Sequence, residues 1–277
     1  MFETIIDRHR LKEHLGAAGW VIVDCRFDLI NKQAGRIAYR ASHIPGAVYA
    51  DLEQDLSGPP LVGHGRHPLP SPQALVTLFG RLGIEDGTQV VAYDAAGGSI
   101  AARLWWLLRY MGHDKVAVLD RGWQHWNVAD FPVAAGEQSN TAARFHGAPE
   151  RHLVHTIDEL ASASLLLDSR DPGRYCGEYE PIDRVAGHIP GAINRCWKDN
   201  LDAEGLFLSA DELHMQFAML FKDISPQRVS VYCGSGVTAC HNLLAIKHAG
   251  LEMGRLYAGS WSEWCADPSR PVAGHSE

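Results

Sequence analysis

The chain repeats itself. Within its 277 residues the segments VIVDCR (21–26), SHIPGAV (42–48), QVVAYDAAGGSIAARLWWLLRYMGH (89–113) and GWQHW (122–126) are followed by four counterparts. These are LLLDSR (165–170), GHIPGAI (187–193), RVSVYCGSGVTACHNLLAIKHAGL (228–251) and SWSEW (260–264). The landmarks return in the same order at an offset of about 140 residues, the size of an ordinary domain. Chance similarity does not preserve order, so the repeat predicts two homologous domains. We expect a first domain over 1–130, a linker over 131–152 and a second domain over 153–277. The linker, FPVAAGEQSNTAARFHGAPERH, is rich in Ala, Gly and polar residues and has no sustained periodicity.

Short β-branched runs alternate with longer amphipathic stretches in each half. Strands are expected at 20–24, 89–93, 115–119, 164–168, 228–232 and 254–257, and helices at 72–82, 100–111, 156–163, 209–221 and 237–249. Val-rich strands between helices predict an α/β fold, each domain a mostly parallel sheet flanked by helices. Ligands of such sheets sit outside the carboxyl ends of the strands. Cys233 ends one of these strands.

The loop after it, Gly234-Ser235-Gly236-Val237-Thr238, carries what a reactive thiol needs. A free thiol loses its proton only near pH 8.5, so a nucleophilic cysteine requires nearby stabilisation of its anion (pKa about 8.5). Gly234 and Gly236 allow successive N–H groups to curl into a nest. A helix starting near Val237 adds the positive end of its dipole, and Ser235 and Thr238 add hydroxyls. In the first half, Asp94 stands where Cys233 stands, and the loop DAAGGSIA is one residue longer. One domain is thus expected to work and the other to support it. Cysteine phosphatases use a similar loop but place an arginine six residues after the cysteine; here that residue is Ala239 and the loop has no basic residue, which argues against phosphate chemistry.

Composition narrows the remaining classes. A net charge of −8 without a long Lys/Arg run argues against nucleic acid as a partner. No apolar run is long enough to span a bilayer, and the N-terminal stretch lacks the apolar core of a signal peptide. The six cysteines lack paired spacing, so neither a metal site nor a disulfide framework is expected, and a reduced, cytoplasmic protein is. Cys240 is expected to be buried, since its spacing from Cys233 does not by itself bring the sulfurs together.

With these residues in view, the chain resembles the tandem-domain rhodanese-like sulfurtransferases. DCR and DSR, SHIPGA and GHIPGA, and GWQHW and SWSEW carry the resemblance over nearly the whole chain, and CGSGVT looks like the loop of the 3-mercaptopyruvate sulfurtransferase type. The resemblance implies that Cys233 takes a sulfur atom from a small anionic donor as a persulfide. It then passes that sulfur to a thiol such as thioredoxin or glutathione, or to cyanide, without metal or organic cofactor. Thiosulfate is the alternative donor, and a non-enzymatic sulfur-relay or binding module the alternative role. Arg174, in GRY (173–175), is implied as the ligand of the donor's carboxylate, with Gly234, Gly236, Val237 and Thr238 around it. The family's second arginine, in an E-P-R segment, is replaced here by Glu180-Pro181-Ile182, and Arg184 is the candidate substitute. His43 matches a histidine proposed to relay protons with Ser235; its alternative role, shared with His188, is bracing the fold. Trp123, Trp126, Trp261 and Trp264 are expected to pack on the sheets.

Overall fold

The Val-rich runs form the centres of two separate parallel sheets. The computed structural model describes residues 1–128 and 130–274. In the first unit the strands are β1 (Ile5–Ile6), β2 (Trp20–Asp24), β3 (Val48–Tyr49), β4 (Gln89–Tyr93) and β5 (Val116–Leu119). They stand in the order β1-β5-β4-β2-β3, all neighbours parallel, with Ile22 opposite Val91 and Val91 opposite Ala117. In the second unit β6 (Leu165–Asp168), β7 (Ile193–Asn194), β8 (Val229–Tyr232) and β9 (Arg255–Leu256) stand in the order β7-β6-β8-β9, again all parallel.

Strands buried on both faces have no polar side to display, which is why β4 and β8 are buried at every position. The first core gathers Ile6, Ile22, Ile44, Tyr93, Leu119 and Trp126; the second gathers Leu160, Ile189, Tyr232, Tyr257 and Trp261. As expected, Trp126 and Trp261 are fully buried, and their indole N–H groups donate to the carbonyls of Pro132 and Val185.

The repeated motifs do the same structural work in both units. Asp24 and Arg26 form a buried forked pair, as do Asp168 and Arg170, whose guanidinium lies over Trp261. Unpaired, either carboxylate would be costly to bury, so each pair fixes the turn after its strand. His43 holds the carbonyl of Tyr39 at 2.8 Å, stacks on that ring and exchanges backbone bonds with Ala134. His188 does likewise with Tyr175 and Ala273.

The units divide the chain differently from the expected boundaries. One comprises Met1–Gly58 and Pro70–Glu150, the other Pro59–Leu69 and the chain from Arg151. The expected linker over 131–152 is largely a strap on the first unit. Ala143 donates its N–H to the Gly80 carbonyl, Asn140 caps the carbonyl of Leu82, Phe145 packs edge-on against Phe79, and Glu150 donates its N–H to Tyr110. The segment Pro59–Leu69, rich in Gly and Pro, leaves the first half to join the second unit. The expected helix over 156–163 is a short 3-10 turn, Asp158–Ser162.

Candidate active site

Cys233 follows the last residue of β8, and three residues of a second element pin it there. The helix Ser260–Trp264 turns in so that Ser260 Oγ accepts the Cys233 N–H at 3.1 Å. Trp261 and Ser262 donate their N–H groups to the carbonyls of Cys233 and Gly234. Ser260 holds a left-handed backbone (φ 56°) where the first unit has Gly122 (φ 57°). A side chain in that conformation is strained, and the hydroxyl's bonds to Cys233 and to the Tyr257 carbonyl offset the strain.

The loop then curls around the sulfur. Gly236, at φ 76°, presents its N–H to Cys233 Sγ at 3.2 Å. A Cβ there would lie 2.5 Å from the Ala258 carbonyl oxygen, so both conformation and space demand glycine. Among the described residues the N–H groups of Gly234, Ser235, Val237 and Thr238 have no acceptor, although all but Thr238 belong to buried residues. Buried N–H groups call for an acceptor, and several curled around one point form a nest suited to an anion.

The first unit displays what this loop shape receives. Asp94, at the position of Cys233, accepts four N–H bonds at 2.7–2.9 Å, from Ala96 and Gly98 on one oxygen and Ile100 and Ala101 on the other. A built-in carboxylate fills that cradle. In the second unit the cradle surrounds a thiol instead. The helix after Cys233 spans Ala239–His248, starting two residues later than expected, and Thr238 makes no side-chain cap. Cys240 is buried and donates to the Gly236 carbonyl, away from Cys233.

Two guanidinium groups reach Gly234. A Cβ built there would lie 3.1 Å from Arg66 Nη2 and 3.3 and 3.5 Å from Arg174 Nη2 and Nη1. Arg174 sits on the short helix Pro172–Cys176, capped by Asp171. Glu180 holds its Nε and Nη2 at 3.0 and 2.8 Å, and Asp183 takes Nη2 at 3.2 Å. The other oxygen of Asp183 pairs with Arg66 Nη1. Burial pushes the Glu180 carboxyl up, but the bonds from Arg174 and from the N–H groups of Asp183 and Ile182 outweigh it and hold the group below its ordinary range. Burial pushes the Asp183 carboxyl up, against the attraction of Arg66.

Two residues that were not among the expected site residues lie at the loop. The histidine paired with Ser235 is His67, whose Nδ1 lies 2.7 Å from Ser235 Oγ, both residues buried. His43 lies in the first unit, where it makes the same contacts as His188 does in the second, the bracing role expected as its alternative. Arg184 is exposed and makes no ion pair or hydrogen bond among the described residues. The second arginine beside the loop is Arg66. Both Arg66 and His67 lie on Pro59–Leu69, which has no counterpart in the second half and so escaped a reading based on repeats. Among the described residues no group of His, Cys, Asp and Glu is arranged to hold a metal, and no helix is long and apolar enough to cross a membrane.

Comparison with known proteins fits this geometry. A family model described as a rhodanese-like domain matches residues 7–129 and 153–267. The chain is 45% identical over 278 residues to a probable 3-mercaptopyruvate sulfurtransferase of Pseudomonas aeruginosa, covering 97% of each. It is 39% identical over 257 residues to a putative thiosulfate sulfurtransferase of Mycobacterium tuberculosis, covering 91% of this chain and 89% of the relative. The solved 3-mercaptopyruvate sulfurtransferase of Leishmania major superposes with a TM-score of 0.84 at 30% identity, covering 95% of this chain and 74% of that one. With one cradle closed by Asp94 and the other built around Cys233, this chain belongs to the rhodanese-like family as a tandem, two-domain member.

Proposed function

We propose that the protein is a sulfurtransferase that moves sulfur from 3-mercaptopyruvate through a persulfide on Cys233 to a thiol or cyanide acceptor. The observation that carries this reading is the pairing of a cysteine inside an N–H cradle with two guanidinium groups at the adjacent glycine. The cradle turns backbone N–H groups toward the sulfur, and Arg174 supplies charge-assisted N–H bonds to the donor's carboxylate.

In the first step the Cys233 thiolate attacks the donor's sulfur. The sulfur–carbon bond breaks and its electrons pass to the carbon, leaving the enolate of pyruvate, which takes up a proton to become pyruvate. Ser235, paired with His67, is placed to hold that proton at its Oγ. The product on the enzyme is Cys233–S–SH, whose outer sulfur, once ionised, has the backbone donors of the loop around it. In the second step an acceptor thiolate or cyanide attacks the outer sulfur and the Cys233 thiolate departs. No net oxidation of the protein occurs, and the first domain, with Asp94 at the equivalent position, has a supporting role.

Thiosulfate remains the competing donor, on the strength of the mycobacterial relative's name. The decisive experiment compares pyruvate release from 3-mercaptopyruvate with sulfite release from thiosulfate, each with cyanide or a dithiol, for wild type and Cys233→Ser. We expect the higher kcat/KM with 3-mercaptopyruvate and loss of both activities in the variant. A higher kcat/KM for thiosulfate overturns the donor assignment, and an active Cys233→Ser protein overturns the nucleophile.

A further inference from the structure

We propose that Asp183 sets the charge of the donor that this site accepts, by spanning Arg66 and Arg174 and cancelling their surplus charge. The proposal rests on the sulfurtransferase reading and goes on to name the residue that selects among donors. Two arginines beside a reactive cysteine would ordinarily suit a dianion. Here each is already committed. Glu180 holds Arg174 through two bonds, and Asp183, its side chain 5% exposed, bonds both guanidiniums, one through each oxygen. Arg170, the remaining nearby cation, is spent on Asp168 and only grazes Glu180 at 3.5 Å.

The pair of arginines therefore faces a pair of carboxylates, and the balance of charge at the loop is close to zero. What the arginines still offer is geometry. Arg66 Nη2 and Arg174 Nη1 have no acceptor among the described residues, and both lie beside Gly234. Two N–H groups at one place match the two oxygens of a single carboxylate. A dianion such as thiosulfate would bring a second negative charge near Asp183 with no cation left to offset it, and in a half-buried site that repulsion is only partly screened. The selectivity thus lies in the aspartate, while the arginines supply the binding.

The test measures kcat/KM for 3-mercaptopyruvate and for thiosulfate in wild type, Asp183→Asn and Arg66→Gln. Asp183→Asn keeps size and one acceptor oxygen while deleting the charge. It should raise the ratio of thiosulfate to 3-mercaptopyruvate use by about tenfold or more, because the dianion gains twice what the monoanion gains. Arg66→Gln, at a side chain 31% exposed, should move the ratio the opposite way. If Asp183→Asn folds and the ratio stays within about twofold of wild type, the proposal is wrong. Should that variant fail to fold, Arg66→Gln decides: an unchanged ratio, or one shifted toward thiosulfate, overturns it. A wild type that takes sulfur from neither donor overturns the sulfurtransferase reading and this proposal with it, whereas an active wild type with an immobile ratio overturns this proposal alone.

Discussion

Gly234→Ala probes the space between the sulfur and the two arginines with a single methyl group. Gly234 does not occupy the left-handed backbone region, so alanine costs no backbone strain there. The added carbon would sit 3.1 Å from Arg66 Nη2 and 3.3 and 3.5 Å from the Arg174 nitrogens. These are the ends of long side chains, so they can give by a few tenths of an ångström, and alanine also restricts the unfolded chain by about 0.4–1 kcal/mol in its favour. The fold should therefore survive. The donor fares worse, because the methyl covers the N–H groups that are to meet its carboxylate. Losing one charge-assisted hydrogen bond costs about 1.5–3 kcal/mol, which raises KM by about 10- to 150-fold. Because such a bond forms to the bound donor as well as in the transition state, kcat should change much less. Steady-state pyruvate release over a range of 3-mercaptopyruvate concentrations measures both. A KM within about twofold of wild type, in a protein with unchanged melting, would refute the placement of the carboxylate at Gly234.

Three further outcomes follow from the same geometry. Ser235→Ala removes the hydroxyl paired with His67 and should lower kcat for 3-mercaptopyruvate by about 100-fold, while thiosulfate, whose sulfite leaving group needs no proton, is affected far less; equal losses on both donors would contradict the relay. Asp94→Asn replaces a carboxylate oxygen that accepts two N–H bonds with an amide that cannot accept, and should destabilise the first domain by about 2–4 kcal/mol in urea unfolding; a loss under about 0.5 kcal/mol would show that the cradle does not depend on an anion. Stability should fall as pH drops below 6.5, because burial depresses His113 and His155. There the unfolded chain binds protons that the folded histidines refuse, so the unfolded state gains. A melting temperature that is flat between neutral pH and the folded-state titration of these histidines would contradict this.

The sheets were readable because their central strands are long and apolar on both faces. β1, β3 and β7 were not, since two residues carry no periodicity; β9, equally short, was expected only as part of a longer run, 254–257. The cysteine loop was legible down to its glycines, because the duplicate supplied a comparison in Asp94. Arg66 and His67 were not, for the opposite reason: they sit in a Gly- and Pro-rich excursion that the second half lacks. The length of that excursion was a usable signal. Residues 49–71 separate the first histidine motif from its helix, a longer connection than structure alone requires, and such loops tend to carry function. For His43 the repeat offered the bracing role and the resemblance the relay role; its contacts match those of His188, while the histidine hydrogen-bonded to Ser235 is His67.

The central claim is that Cys233 carries the sulfur, and mass spectrometry of the protein caught between the two half-reactions tests it most directly. After 3-mercaptopyruvate is added without an acceptor, the intact protein should gain the mass of one sulfur atom. That sulfur should map to the peptide containing Cys233, leave on addition of cyanide, and never appear on Cys233→Ser. Sulfur found on Cys196, Cys240 or Cys265 instead, or turnover with no sulfur on Cys233 at any time, would contradict the account.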